Sequence, residues 1–177
     1  MGMVSGNPGN GDGVLVLLSG VPGSGKTTLA KLLAERLGAV HVESDAIRRQ
    51  LFPEPAYTPA EHGAVFARAE ALAAEGLAEG RAVIVDATNL TRRDRRRFLR
   101  LGERAGGVVA VRVTAPEEVV RRRLSRPREG FSQAGVEVFE RMAGRAEPLE
   151  VPAVVVDTRF DVEPTVALIA RLAERLR

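Results

Sequence analysis

"LLSGVPGSGKTTLA", residues 17–30, is an apolar run that turns through glycines into a lysine and two threonines. Within it Gly20-Val21-Pro22-Gly23-Ser24-Gly25-Lys26-Thr27 fits the pattern G-x-x-x-x-G-K-[ST], and Thr28 follows. The spacing has a mechanical reason. Glycines let backbone N–H groups turn inward around phosphate oxygens, where a Cβ would clash or forbid the dihedrals. A helix beginning near Lys26 aims its positive end at the same anion. Lys26 then reaches the β- and γ-phosphates, and the Thr27 hydroxyl binds Mg²⁺. The stretch predicts a nucleotide cradle from Gly20 to Thr28, with Lys31, one helical turn on, at the surface.

Outward from the cradle, short Val-rich runs alternate with longer helical stretches, the signature of a parallel α/β sheet. Candidate strands are 14–19, 39–43, 81–86, 108–113 and 153–157, nearly unalternated as strands covered on both faces are. Thr58-Pro59 reads as N-cap and first residue of a helix that runs to about Glu79 and is closed by Gly80. Thr91 with Asp94 resembles a capping pair opening a helix that stops at Gly106-Gly107. Pro116 and Pro164 start two more. No linker rich in glycine and proline divides the pattern, so the expectation is one doubly wound domain, 13–177, behind a flexible leader, 1–12.

Composition sets the outer bounds. At 177 residues the chain is long enough for one real core, and 45% hydrophobic with 28% charged residues is ordinary for a soluble protein. There is no cysteine, which excludes disulfides, thiolate catalysis and cysteine-ligated metal centres. Two scattered histidines argue against a histidine metal site. No apolar run approaches a bilayer span, and the leader lacks the character of a signal peptide, so a cytoplasmic location is expected. Nothing marks an obligate protein partner. Net charge is only +3, yet the 26 basic residues divide into 24 arginines and two lysines. Two arginine clusters, 92–100 and 121–128, are dense enough to test against a polyanion, although codon bias on solvated helix faces also produces such runs.

Ligands of doubly wound sheets bind beyond the carboxyl ends of the strands. Of six aspartates, Asp86 and Asp157 fall on predicted strand ends, and Asp45 lies two residues past one. A guanine-reading N/T-K-x-D segment is absent, and Asp86 is followed by Ala87, with no glutamate to polarise water. The chain thus reads as a kinase that hands a phosphoryl group to a hydroxyl, with a nucleotide-binding ATPase or regulatory module as the alternative. A kinase needs a group within hydrogen-bond reach of the acceptor and cations that follow the migrating charge. Asp45 suits the first task, and Arg48, one helical turn on, can hold an anionic acceptor by a bidentate fork. A helix cap at Asp45, with Arg48 on the surface, is the structural alternative, and Ser44 is a rival cap. Arg122 and Arg126, four apart before Pro127 and Gly130, read as the start of an arginine-rich lid, about 125–134, that closes over the phosphates. Arg121, Arg123 and Arg128 are assigned to a solvated helix end.

The loop GVPGSGKTT, the pair Asp45-x-x-Arg48, the segment VDATNLTRRDRRRF and Arg122-x-x-x-Arg126 together resemble the polynucleotide 5′-kinase branch of P-loop kinases. The wider group includes zeta-type toxins, chloramphenicol phosphotransferase and gluconate kinase. The resemblance implies a P-loop kinase fold with a five-stranded sheet in the order 2-3-1-4-5. It implies ATP, with GTP as the alternative, and Mg²⁺. It also implies a general base at Asp45, an acceptor-phosphate contact at Arg48, and transition-state roles for Arg122 and Arg126. Asp86, Thr88 and Asn89 would line the acceptor side, Asp86 supporting the metal through water, while Asn89 reads equally as a turn residue. The acceptor is then a nucleic-acid 5′-hydroxyl or a small polar molecule such as a sugar or antibiotic. Only 4% of residues are aromatic, which leaves Phe52, Tyr57 and Phe131 as the candidates for stacking on a base.

Overall fold

The computed structural model describes residues 13–126 and 135–177. Five parallel strands, β1 (Val14–Ser19), β2 (Val40–Glu43), β3 (Ala82–Asp86), β4 (Gly107–Thr114) and β5 (Ala153–Asp157), pair in the order β2-β3-β1-β4-β5. Every residue of β1 and β3 is buried, as continuous Val/Leu/Ile runs in the centre of a sheet require. The edge strand β5 departs from that expectation: Val155 is 64% exposed, at the end of the sheet.

Among the described residues seven helices flank or cap the sheet: α1 (Lys26–Leu37), α2 (Ser44–Leu51), α3 (Pro59–Ala78), α4 (Arg92–Arg104), α5 (Glu117–Leu124), α6 (Val136–Ala143) and α7 (Glu163–Arg175). On one face Val14, Val16 and Leu18 pack with α1 and α7 through Leu29, Leu33 and Ile169. On the other, Leu15 and Leu17 pack with α3 and α4 through Phe66, Ala73, Phe98 and Leu99. This period-two division of β1 between two cores leaves the carboxyl ends of the strands as the open edge. A third cluster, Val120, Leu124 and Phe139 with Val21 against it, leans α5 and α6 on the loop after β1.

The caps match the sequence signals. Thr58 accepts from the Glu61 N–H, Pro59 lies in the first turn of α3, and Gly80 takes φ +70° just past its end. Thr91 accepts from the Asp94 N–H to open α4. Of the expected lid, residues 127–134 lie outside the described residues, as do the leader 1–12 and the stacking candidate Phe131. Phe52 packs against the core beside α3.

Asn89 resolves as the turn residue. Its φ is +45°, its side chain is fully buried, and its Nδ2 donates to the Leu18 carbonyl at 2.7 Å. Ser19 Oγ in turn donates to the Asn89 carbonyl at 3.0 Å, tying the end of β1 to the loop after β3. It does not line the acceptor side. Replacing Asn89 by Ala removes a buried hydrogen bond and places a Cβ-bearing residue of low left-handed tolerance in that conformation. Urea unfolding of Asn89→Ala should show a loss of about 2–3 kcal/mol; a loss below about 0.5 kcal/mol, the scale of an ordinary surface change, would remove the strap from the account.

Candidate active site

The cradle forms where β1 turns into α1. Gly25 has φ +97°, a conformation L side chains rarely adopt, and a Cβ on Gly20 would lie 2.4 Å from the Val113 carbonyl oxygen. Gly20 N–H donates to the Thr88 carbonyl at 3.0 Å, so the loop is pinned to the end of β3 as well as to β4. Lys26 is only 9% exposed, and its Nζ donates to the Val21 carbonyl at 2.9 Å. Burial pushes its pKa down, while the carboxylates of Asp86 and Asp45 push it back up. Ser24 Oγ is buried without a hydrogen-bond partner among the described residues. An ammonium and a hydroxyl held this way fit phosphate oxygens.

A cavity of about 640 Å³ opens over the cradle. Gly25, Lys26, Thr27 and Thr28 form its floor, with the exposed Lys31 at the rim. Glu43, Asp45 and Arg48 form one wall, joined by Tyr57, His62 and Phe66 from the start of α3. Asp86 and Thr88 stand between them at the end of β3. Thr158, Phe160 and Val162 follow β5 on the opposite wall. The structure thus brings together Lys26, Thr27, Asp45, Arg48, Asp86, Thr88 and Arg126, and leaves out Asn89 and Arg122.

Neither Asp45 nor Ser44 caps α2, whose N-cap is Glu43 without a side-chain cap bond. The Asp45 carboxylate has no hydrogen bond or ion pair to any described residue. Arg48 is 8% exposed, with its Nη1 3.5 Å from Glu61 and its guanidinium 4.9 Å from the centre of the Tyr57 ring. Its Nε and Nη1 find no hydrogen-bond acceptor among the described residues. Glu61 is otherwise occupied: it accepts from the Ala56 and Tyr57 N–H groups at 2.9 and 2.7 Å, which fixes the loop and turns Tyr57 to φ +55°. Burial raises the Tyr57 pKa, and the nearby Asp45 carboxylate adds to it, keeping the phenol protonated.

The lid assignment needs correction. Arg122 is exposed and does not reach the cavity. Its neighbour Arg123 does: it donates to Thr158 Oγ1 at 2.8 Å, to the Thr158 carbonyl at 2.9 Å and to the Gly23 carbonyl at 3.2 Å. The reason is helix rotation. Val120 and Leu124 turn toward Gly23, and Arg123 lies beside them, whereas Arg122 points away. Arg121 is held by Glu117 and Glu140 on the outside. Arg126 lines the cavity as expected.

His62 was legible only as a scattered histidine, yet it stands on the acceptor wall. Its Nε2 lies 3.1 Å from Asp94 Oδ1, its ring packs 4.3 Å from Phe66, and Thr91 Oγ1 donates to Asp94 Oδ2 at 2.7 Å. For metal, His41, Glu43 and Asp86 carry donor atoms within 4.8 Å of one another. His41 Nε2 lies 3.1 Å from Asp86 Oδ2 and orients it. Burial raises the Glu43 pKa, and the Asp86 and Asp45 charges raise it further against His41 and Lys31. A divalent cation would relieve that crowding, and the carboxylates with the Thr27 hydroxyl are the hard oxygen donors Mg²⁺ takes.

Burial pushes the Asp94 pKa up, but the hydrogen bonds from His62 and Thr91, with the His62 and Arg97 charges, outweigh it and leave it below the ordinary 3.8. The resulting stabilisation is complete above the unfolded value and is lost as pH falls through the lower native one. Asp94→Asn should therefore be less stable than the parent at neutral pH, with the gap closing below about pH 4. A gap that stayed constant in urea melts from pH 7 to pH 3 would contradict the ionised Asp94.

The AAA domain family matches residues 15–149. A comparison with curated protein sequences finds no match. Among solved structures, a gluconokinase from Sinorhizobium meliloti 1021 is 26% identical, with a TM-score of 0.68 over 94% of this chain and 97% of that one. The APS kinase of Mycobacterium tuberculosis, in complex with AMPPNP and APS, is 18% identical, with a TM-score of 0.68 over 92% and 98%. Chaetomium thermophilum Kti12, in complex with ADP-AlF3, is 20% identical, with a TM-score of 0.71 over 92% and 98%. These share the single α/β domain with the 2-3-1-4-5 sheet, the fold of P-loop kinases. With the match running over most of its length and its cradle intact, the chain belongs to the AAA domain family.

Proposed function

We propose that the protein is an ATP-dependent kinase that moves the γ-phosphoryl group onto the hydroxyl of an acceptor carrying an acidic group. The observation that carries this reading is Asp45, a carboxylate without a hydrogen bond or ion pair among the described residues, sharing one cavity with the buried ammonium of Lys26 and with Arg48, whose Nε and Nη1 lack a hydrogen-bond acceptor there. The cradle and Lys26 hold the triphosphate. Arg48 binds the acid of the acceptor and so places its alcohol beside Asp45. The alcohol oxygen bonds to the γ-phosphorus as the bridging P–O bond breaks, its proton passes to Asp45, and ADP leaves. Thr27 and Asp86 would hold a Mg²⁺ ion, which would neutralise phosphate charge when bound. Arg126 and Arg123 stand where charge develops on the migrating group, Arg123 also locking Thr158 to the cradle.

The gluconokinase similarity supports a small polar acid as acceptor. A polynucleotide 5′-hydroxyl is a second form of the same chemistry, an alcohol a few bonds from a phosphate. The arginines of α4, which begin just after Thr88, favour that form.

Asp45→Asn should lower turnover by at least about a thousandfold, a loss at the upper part of the range for general-base catalysis, while Mg²⁺·ATP affinity stays within a few-fold in titration calorimetry. Parallel loss of both would refute the base assignment. With γ-labelled ATP, label should appear on a sugar acid, a phosphorylated metabolite or a 5′-hydroxyl oligonucleotide. Release of label only as free phosphate across that panel would instead establish an ATPase.

A further inference from the structure

Helix α4 carries seven arginines and two acids in 13 residues. The fold uses three of the arginines. Arg95, 1% exposed, donates to the carbonyls of Asn89, Leu90, Glu147 and Pro148 and pairs with Glu150. Arg92 also pairs with Glu150, at 2.5 Å, and Arg97 with Glu70 at 3.5 Å. The other four, Arg93, Arg96, Arg100 and Arg104, are exposed and have no ion pair among the described residues. At spacings of three, four and four they form one stripe along the helix face opposite Phe98 and Gly102, which are buried. They line a surface groove of about 650 Å³. The acids within it are engaged: Glu70 holds Arg97, and Glu147 accepts from the Arg92 N–H.

This stripe is electrostatically unfavourable as it stands. Arg96 and Arg100, and Arg100 and Arg104, are like charges one turn apart, and Arg93 faces Arg97 in the same way. Arg92 and Arg93 also sit in the first turn, where the helix dipole disfavours cations. A merely solvated face would intersperse the two signs more evenly than the one exposed acid, Glu103, at the edge of four arginines, and Glu103 forms no ion pair with them among the described residues. Because nearly every basic residue of the chain is arginine, residue type adds nothing; the placement carries the argument.

We propose that the α4 stripe is a docking surface for the phosphate backbone of single-stranded nucleic acid. Four cations rising about 4.5–6 Å from one to the next make a linear track one helix wide. A membrane surface would require apolar side chains beside the basic ones, but the apolar face of α4 is spent in the core. An acidic protein partner would call for an exposed aromatic or aliphatic anchor, and among the described residues the groove's only apolar lining residue is the half-buried Leu101. The track starts at Thr91, which also holds Asp94 beneath His62 of the acceptor wall, so a strand lying along it has one end near the cavity. Docking is independent of phosphoryl transfer and survives Asp45→Asn.

The test is fluorescence anisotropy of the full chain with a labelled single-stranded 20-nucleotide oligomer between 50 and 200 mM NaCl. Four phosphate contacts predict a slope of log K against log salt of about −2.8, a roughly 50-fold loss over that range. Arg100→Gln alone should reduce the slope by about 0.7, and replacing all four by Gln should remove the salt-dependent binding. Arg171→Gln with Arg175→Gln, on α7, should leave it unchanged. Melting temperatures of the α4 variants should not fall, since like-charge repulsion is relieved; the single variant keeps the test decisive if the fourfold one misfolds. No binding by the parent chain, an unchanged slope in Arg100→Gln, or tighter binding to vesicles rich in phosphatidylserine than to the oligomer would each overturn the proposal.

Discussion

Everything in this site follows from the burial of one ammonium group. Lys26 opens α1 at the bottom of the cavity, donates to the carbonyl of Val21 in its own loop, and is shielded from water well enough that burial lowers its pKa. A buried cation is tolerated only with charge partners. Asp86 and Asp45 supply part of that compensation from the ends of β3 and β2, and in the proposed function a bound polyphosphate would supply the remainder. The glycines matter because they permit this arrangement: Gly20 fits beneath the Val113 carbonyl, and Gly25 takes the turn into the helix. The loop's strand, its helix and both neighbouring strands are therefore fixed around a single charge.

The acceptor wall is built on a different principle. Thr58 caps α3 by accepting from the Glu61 N–H, while the Glu61 carboxylate accepts from the Ala56 and Tyr57 N–H groups of the preceding loop and faces Arg48. A capping device thereby sets the position of a binding residue. The same pattern recurs at α4, where the cap Thr91 bonds Asp94, and Asp94 holds His62 over Phe66. Local helix-start chemistry, with no cost in extra structure, places two side chains of the cavity. The carboxylate side resembles neither: Glu43, Asp86 and Asp45 crowd negative charge together, which the Lys26 ammonium offsets in part and a divalent cation would relieve further.

How much of this was readable in the sequence depended on the range of the interaction. The strand–glycine loop–helix unit, the caps at Thr58 and Thr91, and the five Val-rich strands are local signals, and each appears within a residue or two of its expected place. The sheet order came from resemblance rather than from any local signal. Arg123 was missed in favour of Arg122 because a run of arginines has no intrinsic direction. The direction lies in Val120 and Leu124, whose spacing marks the face turned to the cradle and puts Arg123 beside it. Asn89 read equally as turn or ligand, since only the long-range contact with Leu18 distinguishes them. Helix α6 was not anticipated: Val136 and Val138 alternate like a strand, and Phe139 joins its cluster only through tertiary packing. In α4, sequence density pointed to a polyanion, but pairing with Glu70 and Glu150 determines which arginines are left without an ion pair among the described residues.

The central claim, that Asp45 faces the reacting alcohol, is tested most directly by a crystal structure with ADP, a metal fluoride in place of the γ-phosphoryl group, and an acceptor that the labelling panel has identified. An Asp45 carboxylate oxygen about 2.6–3.2 Å from the acceptor hydroxyl, with that oxygen in line with the fluoride, is the expected geometry. A carboxylate paired instead with a neighbouring arginine, or an acceptor hydroxyl approached by some other base, would contradict it.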